Sequence, residues 1–145
     1  MRHARKKAVS SLVLWCLFGL LAACSGSSTG IGVIEYGGSG GLPINIDLPE
    51  TAMRGEAIQL TLNTYGSCTT PARTEVQIKG LEAIVTPYDT VSRGTSTSPC
   101  PLGIRTLEHT ATLTFNQVGT ATVTVRGRNN FRGNVIRVTR AVTIQ

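Results

Sequence analysis

The feature that most constrains this chain is a strict period of two. Leu107, His109, Ala111, Leu113 and Phe115 alternate with Glu108, Thr110, Thr112 and Thr114. In an extended backbone successive side chains point to opposite sides, so one face of this segment is apolar and the other is wet. Ala121, Val123 and Val125 repeat the pattern against Thr120, Thr122 and Thr124, as do Ile58, Leu60 and Leu62 against Gln59, Thr61 and Asn63. A strand with one apolar face needs a second sheet to cover it. From Leu42 onward, short β-branched runs are broken by Gly, Pro and Asn about every ten residues, which predicts strands near 43–48, 56–63, 73–79, 81–86, 106–115, 119–127 and 134–144. No segment after residue 30 sustains a helical period. The expected fold is therefore all-β: one sandwich of about seven strands in two packed sheets. A length of 145 residues leaves room for one domain and excludes a multidomain enzyme.

The amino terminus follows other rules. Arg2, Arg5, Lys6 and Lys7 precede Leu12 to Ala23, a run without a charge or a strongly polar group. This run is shorter than the roughly 18 to 20 apolar residues needed to span a bilayer, so residues 1–23 read as a signal peptide. Its basic flank stays on the cytoplasmic side. Leu21-Ala22-Ala23-Cys24, at the end of the run, resembles the lipobox of bacterial lipoproteins. The resemblance implies diacylglycerol on the Cys24 sulfur, removal of the preceding peptide and acylation of the new amino terminus. Cys24 would then be the first mature residue, and the lipid bilayer a partner through its acyl chains. Cys16 is a poor rival, because bulky Trp15 stands where the motif requires a small side chain. Ser25 after the cysteine favours a bacterial envelope location on the outer membrane, facing the periplasm; a Gram-positive surface lipoprotein would look similar. Three acyl chains, at about 0.8 kcal/mol per buried methylene, would make attachment effectively permanent. The alternatives are free secretion and an uncleaved apolar anchor.

Four cysteines are present. If Cys16 leaves with the signal and Cys24 carries lipid, Cys68 and Cys100 remain, and an oxidising compartment makes one disulfide the expectation. Closing a loop of that length stabilises a fold by roughly 3 to 4 kcal/mol in the chain-entropy model. Both cysteines have turn-like neighbours, so the bridge is expected to pin two loops rather than cross the core. Two cysteines and one mature histidine are too few for a metal site, and neither metal nor cofactor is expected. Residues 24–42 hold two Gly/Ser blocks that cannot bury enough apolar area to order themselves, and they read as a tether reaching on the order of 25 Å. Between the blocks, Ile31-Gly32-Val33-Ile34-Glu35-Tyr36 reads as partly ordered linker, with a short strand or docking segment as the alternative. The folded domain is expected over 43–145.

The stretch from Phe115 to Val125, with a glycine turn before an alternating Thr/Val strand, resembles the penultimate-strand region of bacterial immunoglobulin-like domains. That resemblance implies an immunoglobulin-like or fibronectin-like sandwich. It does not extend to antibody domains, because the sole tryptophan, Trp15, lies in the signal and Cys68 and Cys100 are too close in sequence for their inter-sheet bridge.

Chemistry is sparse. Gly37-Gly38-Ser39-Gly40-Gly41 matches the G-x-S-x-G pattern but lacks the strand-to-helix turn that makes such a serine nucleophilic. His109 is the only histidine after the signal, and adjacent Glu108 points to the other face, so it reads as a residue at the rim of the core. The carboxylates form no short-range cluster suited to calcium or to paired acid catalysis. No catalytic residue is assigned. The global surplus of 14 basic over 8 acidic residues shrinks to 10 over 8 once the signal is removed, a net of +2, so nucleic acid is not an expected partner. The remaining charges are unevenly placed. Mature residues up to Glu108 carry five basic and eight acidic groups, whereas Arg126, Arg128, Arg132, Arg137 and Arg140 follow with no acid. Arg126 to Asn134 reads as a hairpin tip presenting Arg126, Arg128, Phe131 and Arg132. Arginine forks suit phosphates and carboxylates, so this tip is a candidate contact for an anionic envelope component or an acidic envelope protein; the plainer reading is a solvated loop. The functional expectation is a membrane-anchored, non-enzymatic binding or scaffolding module. Its rivals are an accessory subunit of a surface or export assembly and a small envelope enzyme.

Overall fold

The computed structural model describes residues 27–37, 41–92, 100 and 103–145. The segment read as a signal, Cys24 and most of the G-x-S-x-G pattern lie outside the described residues. Among the described residues there are ten strands: β1 (Ser27–Ile31), β2 (Val33–Glu35), β3 (Ile46–Asp47), β4 (Thr51–Ala52), β5 (Ala57–Gly66), β6 (Thr69–Lys79), β7 (Glu82–Ser92), β8 (Arg105–Thr114), β9 (Gly119–Asn129) and β10 (Val135–Ile144). The fold is all-β, as expected, but it has ten strands rather than seven. Three short strands, β1, β2 and β4, lie outside the seven predicted ranges and lack a readable alternation; β2 falls where a short strand was the alternative reading.

The strands form two sheets. The smaller has the order β3-β5-β8; the larger has seven strands on the path β1-β7-β9-β10-β4, with β6 also on β7 and β2 also on β9. Their apolar faces meet in one core. Ile58, Leu60, Leu62, Ala111 and Leu113 come from the small sheet, and Ala83, Val85, Ala121, Val123, Val125, Val142 and Ile144 from the large one. These are the inward positions of the period-two segments, and their threonine-rich partners face out. β7 and β9 run parallel, Glu82–Val85 against Thr122–Val125. Parallel neighbours need a crossover, which β8 supplies by passing through the small sheet.

Beyond Val85 and Val125 the two parallel strands separate, and the amino-terminal segment fills the gap. Ser27–Ile31 pairs antiparallel with Ser92–Tyr88, whereas Val33 and Glu35 follow β9 in parallel beside Arg128 and Asn129. Gly32 is the apex of the resulting V. Its N–H donates to the Pro87 carbonyl and its own carbonyl accepts from the Arg128 N–H, each at 2.9 Å. A methyl group at residue 32 would sit 2.6 Å from Thr64 Cγ2 and 2.7 Å from Asp89 Oδ2, so glycine is required by space. Ile34 projects from β2 into the core at 1% exposure and occupies the room over Gly127, where an added Cβ would come within 2.4 Å of it.

Within the stretch read as a tether, Ser27–Ile31 and Val33–Glu35 are strands, so the short-strand alternative holds for the segment around Ile34. The described body begins at Ser27, and Ile34 belongs to its core. The local composition was glycine-rich, but the split between β7 and β9 offers backbone partners on both sides and an apolar hole, which together order a segment that could not order itself.

Candidate functional site

The parallel course of β7 and β9, together with the pairing of Gly66 against Arg105, brings several features to one end of the body, which we call the Ser92 end. Ser27, the β5–β6 turn, the start of β8 and the β9–β10 tip all lie there. Cys68 and Cys100 are joined by a disulfide with a Cα separation of 5.3 Å. Cys68 sits in the turn with a φ of 53°, and its carbonyl accepts from the Ser92 N–H at 2.9 Å. The bridge thus ties the β5–β6 turn to the chain beyond β7 and does not cross the core.

The least expected feature lies just inside this end. His109 is buried on the inner face of β8, and its Nε2 is 2.8 Å from Asp89 Oδ1, with the two side chains 2% and 5% exposed. Its Nδ1 is 3.2 Å from Thr74 Oγ1. The trio connects β8 of the small sheet to β6 and β7 of the large one. The expectation of a residue at the rim of the core is therefore corrected: His109 is interior, and its partner, Asp89, comes from another strand. Asp89 was the missed residue. A signal did exist, since Ala83, Val85, Pro87 and Asp89 share one alternation phase, which extends β7's inward face to an acid. Pro87 argued for ending the strand near residue 86. Proline is tolerated there because it falls between the β9 pairing, which ends at Val85, and the β1 pairing, which starts at Tyr88.

A cleft of about 300 Å³ opens between β1 and β2 at the Ser92 end, with Ser28 and Thr29 on one wall, Arg128 and Asn130 on the other, and Tyr65 and Asp89 below. The Tyr65 hydroxyl donates to the Pro43 carbonyl at 2.6 Å. An Asp–His–Thr relay resembles the order of a nucleophilic triad, yet the member that reaches this cleft is Asp89, while neither His109 nor Thr74 lines it. Both imidazole nitrogens are engaged inside the protein. The geometry suits a cross-sheet polar staple better than a nucleophile, whose hydroxyl must face substrate.

The β9–β10 tip is built around Asn129, which is 9% exposed. Its Oδ1 accepts from the Arg132 N–H at 2.8 Å, its carbonyl from the Gly133 N–H at 2.9 Å, and its Nδ2 donates to Glu35. These bonds hold Phe131 outward at 78% exposure. The four candidate residues of the tip are not gathered into one pocket. Arg128 lines the cleft beside β1, Phe131 and Arg132 line a second hollow of about 390 Å³ with Glu35 and Ile136, and Arg126 lies on the outer sheet face directly opposite Arg137. Arg126 Nε is shielded and has no hydrogen-bond partner among the described residues. Because β9 and β10 are sheet neighbours, two members of the acid-free arginine run, Arg126 and Arg137, come to face each other.

Among the described residues there is no group of three or more His, Cys, Asp or Glu side chains that could hold a metal ion, and no helix long and apolar enough to cross a membrane. The chain matches no family model, no curated protein and no solved structure.

Proposed function

We propose that this protein is a bacterial envelope lipoprotein, anchored through acylated Cys24, whose immunoglobulin-like β body acts as a non-enzymatic binding or scaffolding module on the periplasmic face of the outer membrane. The observation that carries the reading is Leu21-Ala22-Ala23-Cys24 at the end of a basic-then-apolar leader. A disulfide-linked body, the kind an oxidising compartment favours, starts only three residues later, at Ser27. The immunoglobulin-like description is supported by the antiparallel β5–β8 and β9–β10 pairs and by β4 running parallel to the last strand; the parallel β7–β9 pair is a departure from that pattern. Binding rather than catalysis is supported by the enclosure of His109. Globomycin, or a Cys24→Ala change, should cause a larger precursor to accumulate, and mass spectrometry of the native amino terminus should find a thioether-linked diacylglycerol. Unchanged processing with a free thiol would reject the reading.

A further inference from the structure

The position of Ser27 turns the anchor into a constraint on orientation. Two residues lie between Cys24 and Ser27, and even fully extended the three Cα-to-Cα steps span only about 11 Å. If Cys24 is acylated, the strand end bearing Ser27 is held against the headgroups rather than 25 Å away on a tether. The same end carries the β9–β10 tip, since Ser28 and Asn130 line one cleft. Arginines gather toward the same end. Arg105, Arg128 and Arg132 lie at the Ser92 end, and Arg126 and Arg137 stand just behind them as a directly opposed pair. Like charges directly opposite on a sheet repel, and an anion between or beside them relieves that repulsion. Of the carboxylates toward this end, Glu35 is held by Asn129, Asp89 is buried with His109, and Glu108 lies three residues along β8 from Arg105. The far end is mixed: Glu50, Glu56 and Glu82 sit there, near Thr143, Phe115 and Thr122 respectively, together with Arg54 and Lys79.

We propose that the Ser92 end is a membrane-contact surface, in which Phe131 enters the headgroup layer while Arg128 and Arg132 bind phosphates of anionic lipid. The proposal rests on the anchored-lipoprotein reading and adds to it a fixed orientation, strands end-on to the bilayer. An aromatic ring flanked by guanidiniums suits that layer, because the ring gains from the acyl boundary and each arginine near an anionic surface adds attraction.

The test uses the mature lipoprotein purified from membranes, with Cys24 acylation verified by mass spectrometry, carrying Phe131→Trp. The sole natural tryptophan, Trp15, lies in the removed leader, so the new indole reports alone. In vesicles containing phosphatidylglycerol, the indole should be quenched by brominated lipid and shielded from aqueous iodide. Adding Arg128→Ser and Arg132→Ser should reduce the contact equilibrium about 30-fold, which corresponds to ~2 kcal/mol at about 1 kcal/mol per arginine. An indole equally open to iodide in anionic vesicles and in detergent would overturn the proposal. One shielded only in native envelopes would also overturn it and would indicate a protein partner. An unacylated Cys24 would reject the anchor itself and, with it, the geometry that brings this end to lipid.

Discussion

Replacing His109 by leucine isolates the energetic role of the buried trio. Leucine roughly preserves the side-chain volume between the sheets, so the principal loss is the hydrogen bond to Asp89 Oδ1 at 2.8 Å. Among the described residues His109 is the one hydrogen-bond partner of the Asp89 carboxylate. The other carboxylate oxygen packs over Gly32, and the Gly32 N–H already donates to the Pro87 carbonyl. Thr74 is half-buried and can turn its hydroxyl to water, so the loss concentrates on Asp89, which stays 4% exposed. Orphaning one partner of a buried polar pair costs about 3 to 5 kcal/mol, a large part of the ~5 to 15 kcal/mol by which domains are stable. Urea denaturation of the oxidised protein should show that loss, with the thermal midpoint falling by roughly 12 to 20 °C at about 4 °C per kcal/mol. Changing Asp89 to leucine together with His109 removes the orphan, so the double variant should be more stable than His109→Leu alone. A single-variant loss under about 1 kcal/mol, or a double variant whose costs simply add, would refute the role assigned to the pair.

Ile34→Ala should cost about 2 to 5 kcal/mol, the usual range for truncating a fully buried isoleucine; a neutral result in urea denaturation would mean that β2 is not part of the core. Gly32→Ala should destabilise by about 1 to 3 kcal/mol through overpacking, with hydrogen exchange accelerated in β1 and β2 before the rest of the body; uniform protection would contradict the wedge. Reducing the Cys68–Cys100 bridge should lower stability by about 4 kcal/mol in the chain-entropy model for a separation of 32 residues, measurable as a shift in the urea midpoint with and without dithiothreitol. Phe131→Ala, at a site 78% exposed, should leave the stability of detergent-solubilised protein within about 0.5 kcal/mol.

Period two is a local property. Threonine at 110, 112 and 114 set against Ala111, Leu113 and Phe115 decides which face is buried whatever covers it, which is why the long strands and their inward residues could be read directly. The same holds for the cysteine pair, since turn residues around Cys68 and Cys100 already place both at the surface. Three other features depended on which strands became neighbours. Ile34 is core only because β7 and β9 diverge after Val85 and leave an opening of the right depth. His109 has a partner only because β7, twenty residues earlier in the chain, passes over β8 in the opposite sheet. Arg126 and Arg137 face each other only because β9 and β10 are adjacent. Alternation assigns each side chain a face, whereas pairing order, which no local pattern encodes, assigns the face its neighbours.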